Sequence, residues 1–283
     1  MSQKKIKIYL GWLSTGLRED VHLFLMRDLQ ERYGHLVDLV LPDICCHRIF
    51  HDRARNDVVE EFLASDCDVL WFLDSDVVPP NHVLDLIAHH FDKWQIAGAP
   101  YPLYQSIPGT DDMSICFTVY KDLKVDAETG FKGMHMAEVP QEGTAFVDGL
   151  ATGCLFIKRE VFDNLEQPYF EFKFEPKTRR VIEGEDLGFA FKLHDLGIKF
   201  FVDYSMVCEH YKRVGLLQMS NHAMKRANAA VIEYDKQIRE HVLSATQAAY
   251  QKGLEKGREQ ANSSVIPNSK TKSGLILPNS FRT

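Results

Sequence analysis

Two aspartates, two residues apart, are the side chains of this sequence best suited to chemistry. Asp74 and Asp76 follow 69–73, a run of five apolar residues typical of a strand buried on both faces. Residues i and i+2 of an extended segment point to the same side, so the two carboxylates face one small volume. Close like charges repel unless a cation lies between them or one carboxylate is protonated. The pattern therefore predicts a Mg²⁺ or Mn²⁺ site, and the alternative is a solvated turn that caps the next helix.

A second acidic cluster comes later in the chain. Glu183, Glu185 and Asp186 begin a segment whose apolar spacing predicts a helix over 185–196. Carboxylates at a helix N-terminus are stabilised by the helix dipole, so the cluster has a purely structural explanation. The functional interpretation is that Asp186, with Glu185 beside it, takes the proton of an attacking hydroxyl. The sequence leaves both interpretations open.

The first hundred residues predict a sheet that can position these groups. Strands are expected at 6–10, 36–41, 69–73 and 96–99, and helices at 18–33, 52–65 and 80–91. This alternation indicates a mostly parallel sheet with helices on both faces. Open sheets of this kind bind ligands outside the carboxyl ends of their strands, which is where Asp74 and Asp76 lie.

After Pro100 the pattern becomes mixed. Short alternating pieces and turns fill 101–149, an apolar run follows at 151–157, and a short helix is expected at 158–165. Residues 166–184 are aromatic and charged without a regular period, which predicts a loop. A helix at 185–196, ended by Gly197, and a last strand at 198–202 complete an α+β half.

Composition restricts the class of protein. The chain has 283 residues, a net charge of −7 and 45% apolar residues, which suit a folded globular protein and argue against a nonspecific nucleic-acid coat. No window of ~18 apolar residues predicts a transmembrane helix, and the N-terminus lacks the apolar core of a signal peptide. The six cysteines include no Cys-x-x-Cys pair, which indicates free thiols in a reducing compartment. We therefore expect a cytoplasmic protein with no membrane partner.

One long helix is expected from Met219 to about Ala261. Its apolar residues recur three and four positions apart: Met224, Ala227, Val231, Tyr234, Ile238, Val242, Ala245 and Ala249. A stripe of this kind needs a covering surface, which is either the chain's own domain or another copy in a homo-oligomer.

Five pieces of the sequence, taken in order, resemble glycosyltransferases of the GT-A fold, in particular family 2 and its soluble bacterial or viral members. They are Arg53-Ala-Arg55-Asn56, the Asp-x-Asp motif in Leu73-Asp-Ser-Asp-Val-Val-Pro79, the glycine segment 149–162, the Glu-Asp helix start 183–189, and Cys208-Glu-His210-Tyr-Lys212. The resemblance covers residues 6 to about 215. It implies an α/β, Rossmann-like (GT-A-like) mostly parallel sheet with a smaller mixed α+β acceptor half and a long C-terminal helix.

The resemblance also implies a domain organisation. Residues 1–215 would form the glycosyltransferase domain, with a nucleotide-binding half at 1–100 and an acceptor half at 101–215. Residues 216–261 would be a helical extension. The last segment, 262–283, is rich in Ser, Asn, Lys and Pro and is predicted to be a flexible tail.

A metal site is the first role that the resemblance assigns. Asp76 would bind Mn²⁺ or Mg²⁺ directly, Asp74 would assist through the ribose or a metal-bound water, and a neutral His210 would be the third protein ligand. A divalent ion stabilises the charge that grows on a departing diphosphate. The alternative for His210 is an ordinary surface histidine after a strand.

Donor and acceptor contacts are the second set of implied roles. The nucleotide or donor would contact Arg53, Arg55, Asn56, Asp74, Ser75 and Lys212. The acceptor or sugar would contact Thr152, Gly153, Arg179 and Arg180. A helix-surface pair is the alternative for Arg55 and Asn56, and tight strand packing is the alternative for Gly153.

The leading hypothesis is a metal-dependent transferase that moves a sugar from a nucleotide-diphosphate sugar to a hydroxyl. The acceptor is left open among glycans, proteins, small molecules and hydroxymethylated DNA bases. One alternative is a nucleotidyltransferase, but only Arg18 follows Gly11–Gly16 where such enzymes carry a glycine- and basic-rich segment. The other is a non-catalytic nucleotide-binding or scaffold protein that acts through the long helix.

Overall fold

The fold is given by a computed structural model of the chain. It describes residues 4–14, 19–41, 46–47, 50–106, 113–125, 132–137, 142–212 and 216–263. Most of the predicted tail, from residue 264, lies outside the described residues, as do the Gly16–Arg18 segment and residues 107–112. The described chain divides into two compact units, residues 1–213 and 214–283.

The described elements comprise five α-helices and sixteen strands. The helices are α1 Glu19–Tyr33, α2 His51–Ala64, α3 Asp85–Ala88, α4 Glu185–Asp195 and α5 Leu216–Ser263. The strands are β1 Ile6–Ser14, β2 Val37–Val40, β3 Cys46–His47, β4 Val69–Asp74, β5 Val77–Val78, β6 Ile96–Gly98, β7 Pro102–Ser106, β8 Met113–Val125, β9 Lys132–Ala137, β10 Thr144–Val147, β11 Gly149–Leu150, β12 Cys154–Lys158, β13 Lys173–Phe174, β14 Val181–Glu183, β15 Phe200–Asp203 and β16 Glu209–His210. Short 3-10 helices lie at Phe91–Lys93, Arg159–Asn164 and Tyr204–Met206.

An eight-stranded sheet forms the centre of the first unit. Its order is β10-β15-β6-β12-β4-β1-β2, with β3 paired to β1. Strands β1, β2, β3, β4, β6 and β15 share one direction, while β12 and β10 run opposite to them. The prediction of an α/β fold with a mostly parallel sheet is therefore confirmed. β4 is buried from Val69 through Leu73, as the continuous apolar run predicts for a central strand.

Several strand ends meet at the carboxyl edge of the sheet, where functional side chains can lie close together. The parallel strands β1 and β4 end there at Ser14 and Asp74, and Leu13 is paired with Asp74. β6 ends at the same edge, shortly before Tyr101, and the antiparallel β12 begins there, directly after Gly153. The backbone N–H of Asp74 donates to the carbonyl of Gly153 at 2.9 Å, which ties the two segments together. Residues distant in sequence are thus brought to one place by strand direction alone.

The mixed half supplies a second sheet. β8 lies between β7 and β11, also pairs with β9, and all of these pairings are antiparallel. Two smaller pairings complete the unit, β13 with β14 and β16 with β5. In the β16–β5 pairing His210 lies opposite Val77. This pairing places His210 next to the Asp-x-Asp turn.

Two local predictions were wrong. The helix expected at 80–91 is only the single α-helical turn α3, followed by the 3-10 turn Phe91–Lys93, and the indole N–H of Trp94 donates to the Leu86 carbonyl at 3.0 Å. The loop expected at 166–184 contains the hairpin β13–β14. The hairpin has only two and three residues per strand, too few to show a period of two.

The long helix of the second unit is confirmed. α5 spans 48 residues, close to the predicted bounds. In the described part of the chain, no helix is both long and apolar enough to cross a membrane.

Candidate functional site

A cleft of about 630 Å³ lies at the carboxyl edge of the main sheet. The strand ends and helix starts that meet there contribute Ser14, Asp74, Tyr101, Thr152, Glu185 and His210 to its lining. Its volume is within the range of roughly 300–1,000 Å³ found for small-molecule sites. The cleft therefore joins both acidic clusters of the sequence, which the chain separates by about a hundred residues.

Arg55 is the buried centre of this cleft. It lies on α2, and its side chain is only 5% exposed. Its two terminal nitrogens reach the two carboxylate oxygens of Asp74 at 3.3 and 3.2 Å, while its Nε lies 3.5 Å from Glu185 Oε1. Burial opposes the charge of the guanidinium, but Asp74 and Glu185 hold the pKa of Arg55 above its usual value. Arg55 thus joins the Asp-x-Asp turn to the start of α4.

Asp76 has different partners. Its Oδ2 lies 3.5 Å from His210 Nε2 and 2.5 Å from Lys212 Nζ. Burial alone would raise the pKa of Asp76, but the hydrogen bonds and charges of His210 and Lys212 outweigh it and lower that pKa to about 2. Asp76 is therefore a carboxylate at any neutral pH.

The orientation of His210 is fixed by the backbone. Its Nδ1 lies 2.7 Å from the Pro102 carbonyl, and the ring packs edge-on against Tyr101 with centroids 4.8 Å apart. A carbonyl oxygen only accepts, so Nδ1 carries a proton and Nε2 is left to face Asp76. A metal ion placed here would bind Nε2 of the neutral ring. Metal-binding histidines are oriented in this way, by a carbonyl at the nitrogen that does not bind.

The donor set fits a divalent cation only in part. Asp76 and His210 provide one oxygen and one nitrogen, but both oxygens of Asp74 face Arg55. Among the described residues, no three His, Cys, Asp or Glu side chains are placed to hold a metal together. The structure therefore does not assemble the predicted set of Asp74, Asp76 and His210. It places Asp76 and His210 side by side and pairs Asp74 with the guanidinium of Arg55.

Within the described part of the chain, Asp74, Asp76 and Glu185 each have a cation within 4 Å and Asp186 has none. Its Oδ1 accepts the backbone N–H of Leu187 at 2.8 Å, and Tyr120 donates to its Oδ2 at 3.4 Å. Burial and the neighbouring Glu185 raise the pKa of Asp186, and the Leu187 hydrogen bond and Arg55 reverse this only in part. A carboxyl group with a raised pKa accepts a proton more readily, which suits a general base.

Gly153 is required by a neighbouring side chain. A Cβ at this position would lie 2.6 Å from the hydroxyl of Tyr101, and the Gly153 N–H donates to that hydroxyl at 3.3 Å. Tyr101 fills the space that we had predicted for an approaching sugar, so packing explains this glycine. Thr152 does line the cleft, although it is only 2% exposed.

The predicted nucleotide contacts divide between the cleft and other places. Lys212 and Arg55 line the cleft, but the guanidinium of Arg55 is already paired with the carboxylates of Asp74 and Glu185. Ser75 is buried in the turn, where its N–H donates to the Leu13 carbonyl at 2.9 Å. Arg53 is 75% exposed, pairs with Asp57 at 3.8 Å and does not line the cleft.

Asn56 is a structural residue in this fold. Its amide nitrogen donates to the carbonyls of Asp52 and Phe170 at 2.8 and 2.7 Å. Its amide oxygen accepts the N–H groups of Tyr169 and Phe170 at 2.9 and 3.1 Å. Three of these hydrogen bonds connect α2 to the segment before the hairpin and the fourth lies within α2, so the amide has no capacity left for a nucleotide.

Arg179 and Arg180 lie at the tip of the β13–β14 hairpin, outside the cleft lining. Both are exposed, and Arg179 has a φ of +59°, which is uncommon for a residue other than glycine. The turn is closed by backbone hydrogen bonds between Glu175 and both arginines. The predicted acceptor role of this pair stays a prediction.

Sequence reasoning missed two ring side chains that line the cleft, Tyr101 and His51, and a third, Tyr120, that contacts Asp186. Tyr101 follows Pro100 at the end of β6, a strand-end position that the sheet pattern could have indicated. His51 lies 3.9 Å from Glu185, at the start of α2. Tyr120 comes from the middle of β8 in the second sheet, and no local signal in the sequence connects it to Asp186.

The charges of the cleft do not balance. Four carboxylates line or underlie it, Asp74, Asp76, Glu185 and Asp186, against the two cations Arg55 and Lys212. The formal excess of two negative charges is the amount that one divalent cation would neutralise. A cleft with this excess would repel a diphosphate unless a cation accompanies it.

Comparison with known proteins gives a partial likeness of fold. No family model matches the chain, and no curated protein matches it. Among solved structures, A197 from STIV is 17% identical with a TM-score of 0.43, covering 74% of this chain and 87% of that one. GalNAc-T7 with UDP, GalNAc and Mn²⁺ is 14% identical with a TM-score of 0.41, covering 74% and 44%. The inositol-1-phosphate CTP transferase from T. maritima is 14% identical with a TM-score of 0.31, covering 71% and 68%.

Proposed function

We propose that this chain is a divalent-metal-dependent glycosyltransferase that moves a sugar from a nucleotide-diphosphate sugar to a hydroxyl acceptor. The observation that carries the proposal is the unbalanced cleft at the carboxyl edge of the sheet. It offers an oriented oxygen and nitrogen donor pair, Asp76 and His210, and a separate carboxyl group with a raised pKa, Asp186. Metal binding and proton removal are the two tasks that this transfer requires.

The donor would lie on the side of Asp76, His210 and Lys212. A bound Mn²⁺ or Mg²⁺ would supply positive charge opposite the diphosphate, whose negative charge grows as it leaves. Asp76 and His210 would hold the ion, and Lys212 would contact phosphate oxygens as a second positive charge. The ammonium of Lys212 now neutralises Asp76, so donor binding with metal would free it for the phosphates.

Proton removal is the role proposed for Asp186. The acceptor oxygen forms a bond to the anomeric carbon, the bond from that carbon to the diphosphate oxygen breaks, and the hydroxyl proton passes to Asp186. Tyr120 and the Leu187 N–H orient the carboxyl group. Glu185 lies beside Arg55 and helps to keep the pKa of Asp186 raised.

Arg55 has a positioning role in this proposal and no direct contact with the nucleotide. By binding Asp74 and Glu185 together, it fixes the distance between the metal side and the proton-accepting side of the cleft. Asp74 would then act by holding the turn in which Asp76 lies.

Donor cleavage without an added acceptor tests the proposal, because water can take the place of the hydroxyl. We expect slow release of one nucleoside diphosphate from its sugar conjugate, dependent on Mn²⁺ or Mg²⁺, and its loss in Asp76→Asn with an unchanged melting profile. Pyrophosphate release from a nucleoside triphosphate and a sugar phosphate would instead indicate a nucleotidyltransferase. Cleavage that is equal with and without metal would contradict the metal assignment.

A further inference from the structure

α5 exposes a row of large apolar side chains. Val231, Tyr234 and Val242 are 67%, 66% and 56% exposed, values usual for charged surface residues. Within proteins, helices gain most of their stability by packing an apolar face against another surface. These apolar side chains therefore lie on the surface of α5.

The exposed side chains form one narrow seam. At 100° per residue, the eight positions of the predicted stripe lie within about 40° of Ile238 around the helix axis. Ala227, Ile238 and Ala249 are spaced eleven residues apart, as are Val231 and Val242. An eleven-residue period corresponds to about 3.67 residues per turn, close to that of a straight helix. The seam therefore runs almost parallel to the axis for 26 residues, or about 39 Å.

We propose that a second copy of this chain covers the seam, with the two α5 helices antiparallel and centred on Ile238. A straight seam of this length requires an equally long apolar helix, and α5 is such a helix in the described chain. The order of large and small side chains along the seam is also complementary to the same order read in the opposite direction. Reversal places Tyr234 opposite Val242 and Val231 opposite Ala245, so that large side chains meet smaller ones.

The ends and flank of the seam agree with the antiparallel direction. Reversal places Met224 opposite Lys252, whose aliphatic stem can cover it while the ammonium stays in water. Asp235 and Arg239 lie on one flank, where they pair within the helix at 2.8 Å. Near the centre of an antiparallel pair this flank meets its own copy, and the two Asp235 and two Arg239 side chains form one neutral cluster. In it each Arg239 lies as near to the other Arg239 as to the Asp235 of the other helix.

The area of the seam suits a dimer. Five large side chains per copy, at roughly 100 Å² each, together with the alanines, remove on the order of 1,200 Å² from water in the pair. That area is at the lower end for stable specific interfaces. A second exposed row on α5, Ile232, Leu243, Tyr250 and Leu254, has spacings of eleven, seven and four residues, too sparse in its first half for a continuous seam.

Light scattering after gel filtration of the full chain is the first test. We expect twice the chain mass of 32.5 kDa at micromolar concentration. Ile238→Asp places a charge at the centre of the seam and should raise the dimer dissociation constant at least tenfold. Gln247→Asp adds the same charge on the opposite face and should leave the mass unchanged. A wild-type monomer at 100 µM, or equal effects of the two variants, would overturn the proposal.

Disulfide cross-linking tests the direction even if Ile238→Asp unfolds the helix. In an antiparallel pair Ile238→Cys lies next to its own copy, and Met224→Cys does not. We therefore expect mild oxidation to link Ile238→Cys to itself above the wild-type background, and to link Met224→Cys only to Lys252→Cys in a mixture. Efficient self-linking of Met224→Cys would show a parallel pair and refute the antiparallel arrangement.

Discussion

At the scale of single residues, the carboxyl groups of the cleft differ in their hydrogen-bond and charge partners, and so in the direction of their pKa shifts. Asp76 faces a lysine and a histidine, which lower its pKa to about 2, while Asp186 has only a backbone N–H and a tyrosine hydroxyl, and its pKa is raised. Two carboxyl groups whose pKa values are moved in opposite directions have different tasks available to them. One is suited to bind positive charge and the other to exchange a proton.

Asp186→Asn tests the proton-accepting role. We expect transfer to fall by about 10²–10⁴-fold with donor binding retained, because the amide accepts no proton. The wild-type rate should fall as the pH decreases through a pKa above that of an ordinary aspartate, since only the ionised form is a base. Steady-state kinetics against pH checks both results. A normal transfer rate in the variant would remove Asp186 from the mechanism.

The same variant has a predicted effect on stability, with the sign fixed by the raised pKa. A carboxyl group whose pKa is higher in the folded state costs stability as the pH rises from its unfolded pKa through its folded pKa. At neutral pH the asparagine avoids this cost, so the melting temperature of Asp186→Asn should equal or exceed that of the wild type. The exposed Asp195→Asn, at the other end of α4, is the matched control: it should leave the rate unchanged and cost at most about 1 kcal/mol, because its ion pair with Lys132 lies at the surface.

At the scale of elements, Arg55 makes α2, β4 and α4 one assembly. Arg55→Met would leave Asp74 and Glu185 facing each other without a cation. Removing one partner of a buried ion pair costs about 3–5 kcal/mol, and we expect that loss in denaturant unfolding. Arg55→Lys should recover part of the stability but little of the activity, because an ammonium cannot span both carboxylates as a planar guanidinium does.

Arg53→Met on the same helix is the control for Arg55. Its side chain is exposed and pairs only with Asp57 on the surface, so its removal should cost below about 0.5 kcal/mol. If Arg53 contacts the nucleotide as the resemblance implies, its removal would raise the KM for the donor. Equal destabilisation by the two methionine variants would contradict the positioning role of Arg55.

The contact between Gly153 and Tyr101 is another element-scale feature, because it packs the start of β12 against the segment after β6. Gly153→Ala should cost about 1–3 kcal/mol, since the new Cβ would overlap the Tyr101 ring. Tyr101→Leu combined with Gly153→Ala should cost less than the sum of the two single changes. Additive costs in a double-mutant cycle would show that the ring does not constrain the glycine.

At the scale of the whole molecule, the negative charge of the cleft predicts that ligand binding depends on a cation. Uridine, guanosine, cytidine and thymidine diphosphates should therefore stabilise the protein only with Mn²⁺ or Mg²⁺ present. A ligand at 100 times its dissociation constant adds about 2.7 kcal/mol, which a thermal melt detects. Asp76→Asn should abolish the metal-dependent part. No response to any diphosphate would favour the scaffold hypothesis and direct attention to α5.

The sequence by itself determined the elements whose signals are local and long. The continuous apolar run of β4, the spacing of α2 and α4, Gly197 with its φ of +73° at the end of α4, and the 48 residues of α5 follow from side-chain pattern and backbone preference. The two acidic clusters could be identified for the same reason, since strand ends and helix starts are local features.

Only the tertiary structure decided how those groups are paired. Arg55 binds Asp74 and Glu185, Tyr101 occupies the space beside Gly153, and Tyr120 reaches Asp186 from a different sheet. Strand order determines each of these contacts, and no spacing within one segment encodes it. Asn56 shows the same limit, because the backbone that it binds is 114 residues away in the chain. A motif therefore indicates which residue types are present, but the charge and hydrogen bonds left to each depend on neighbours that only the fold supplies.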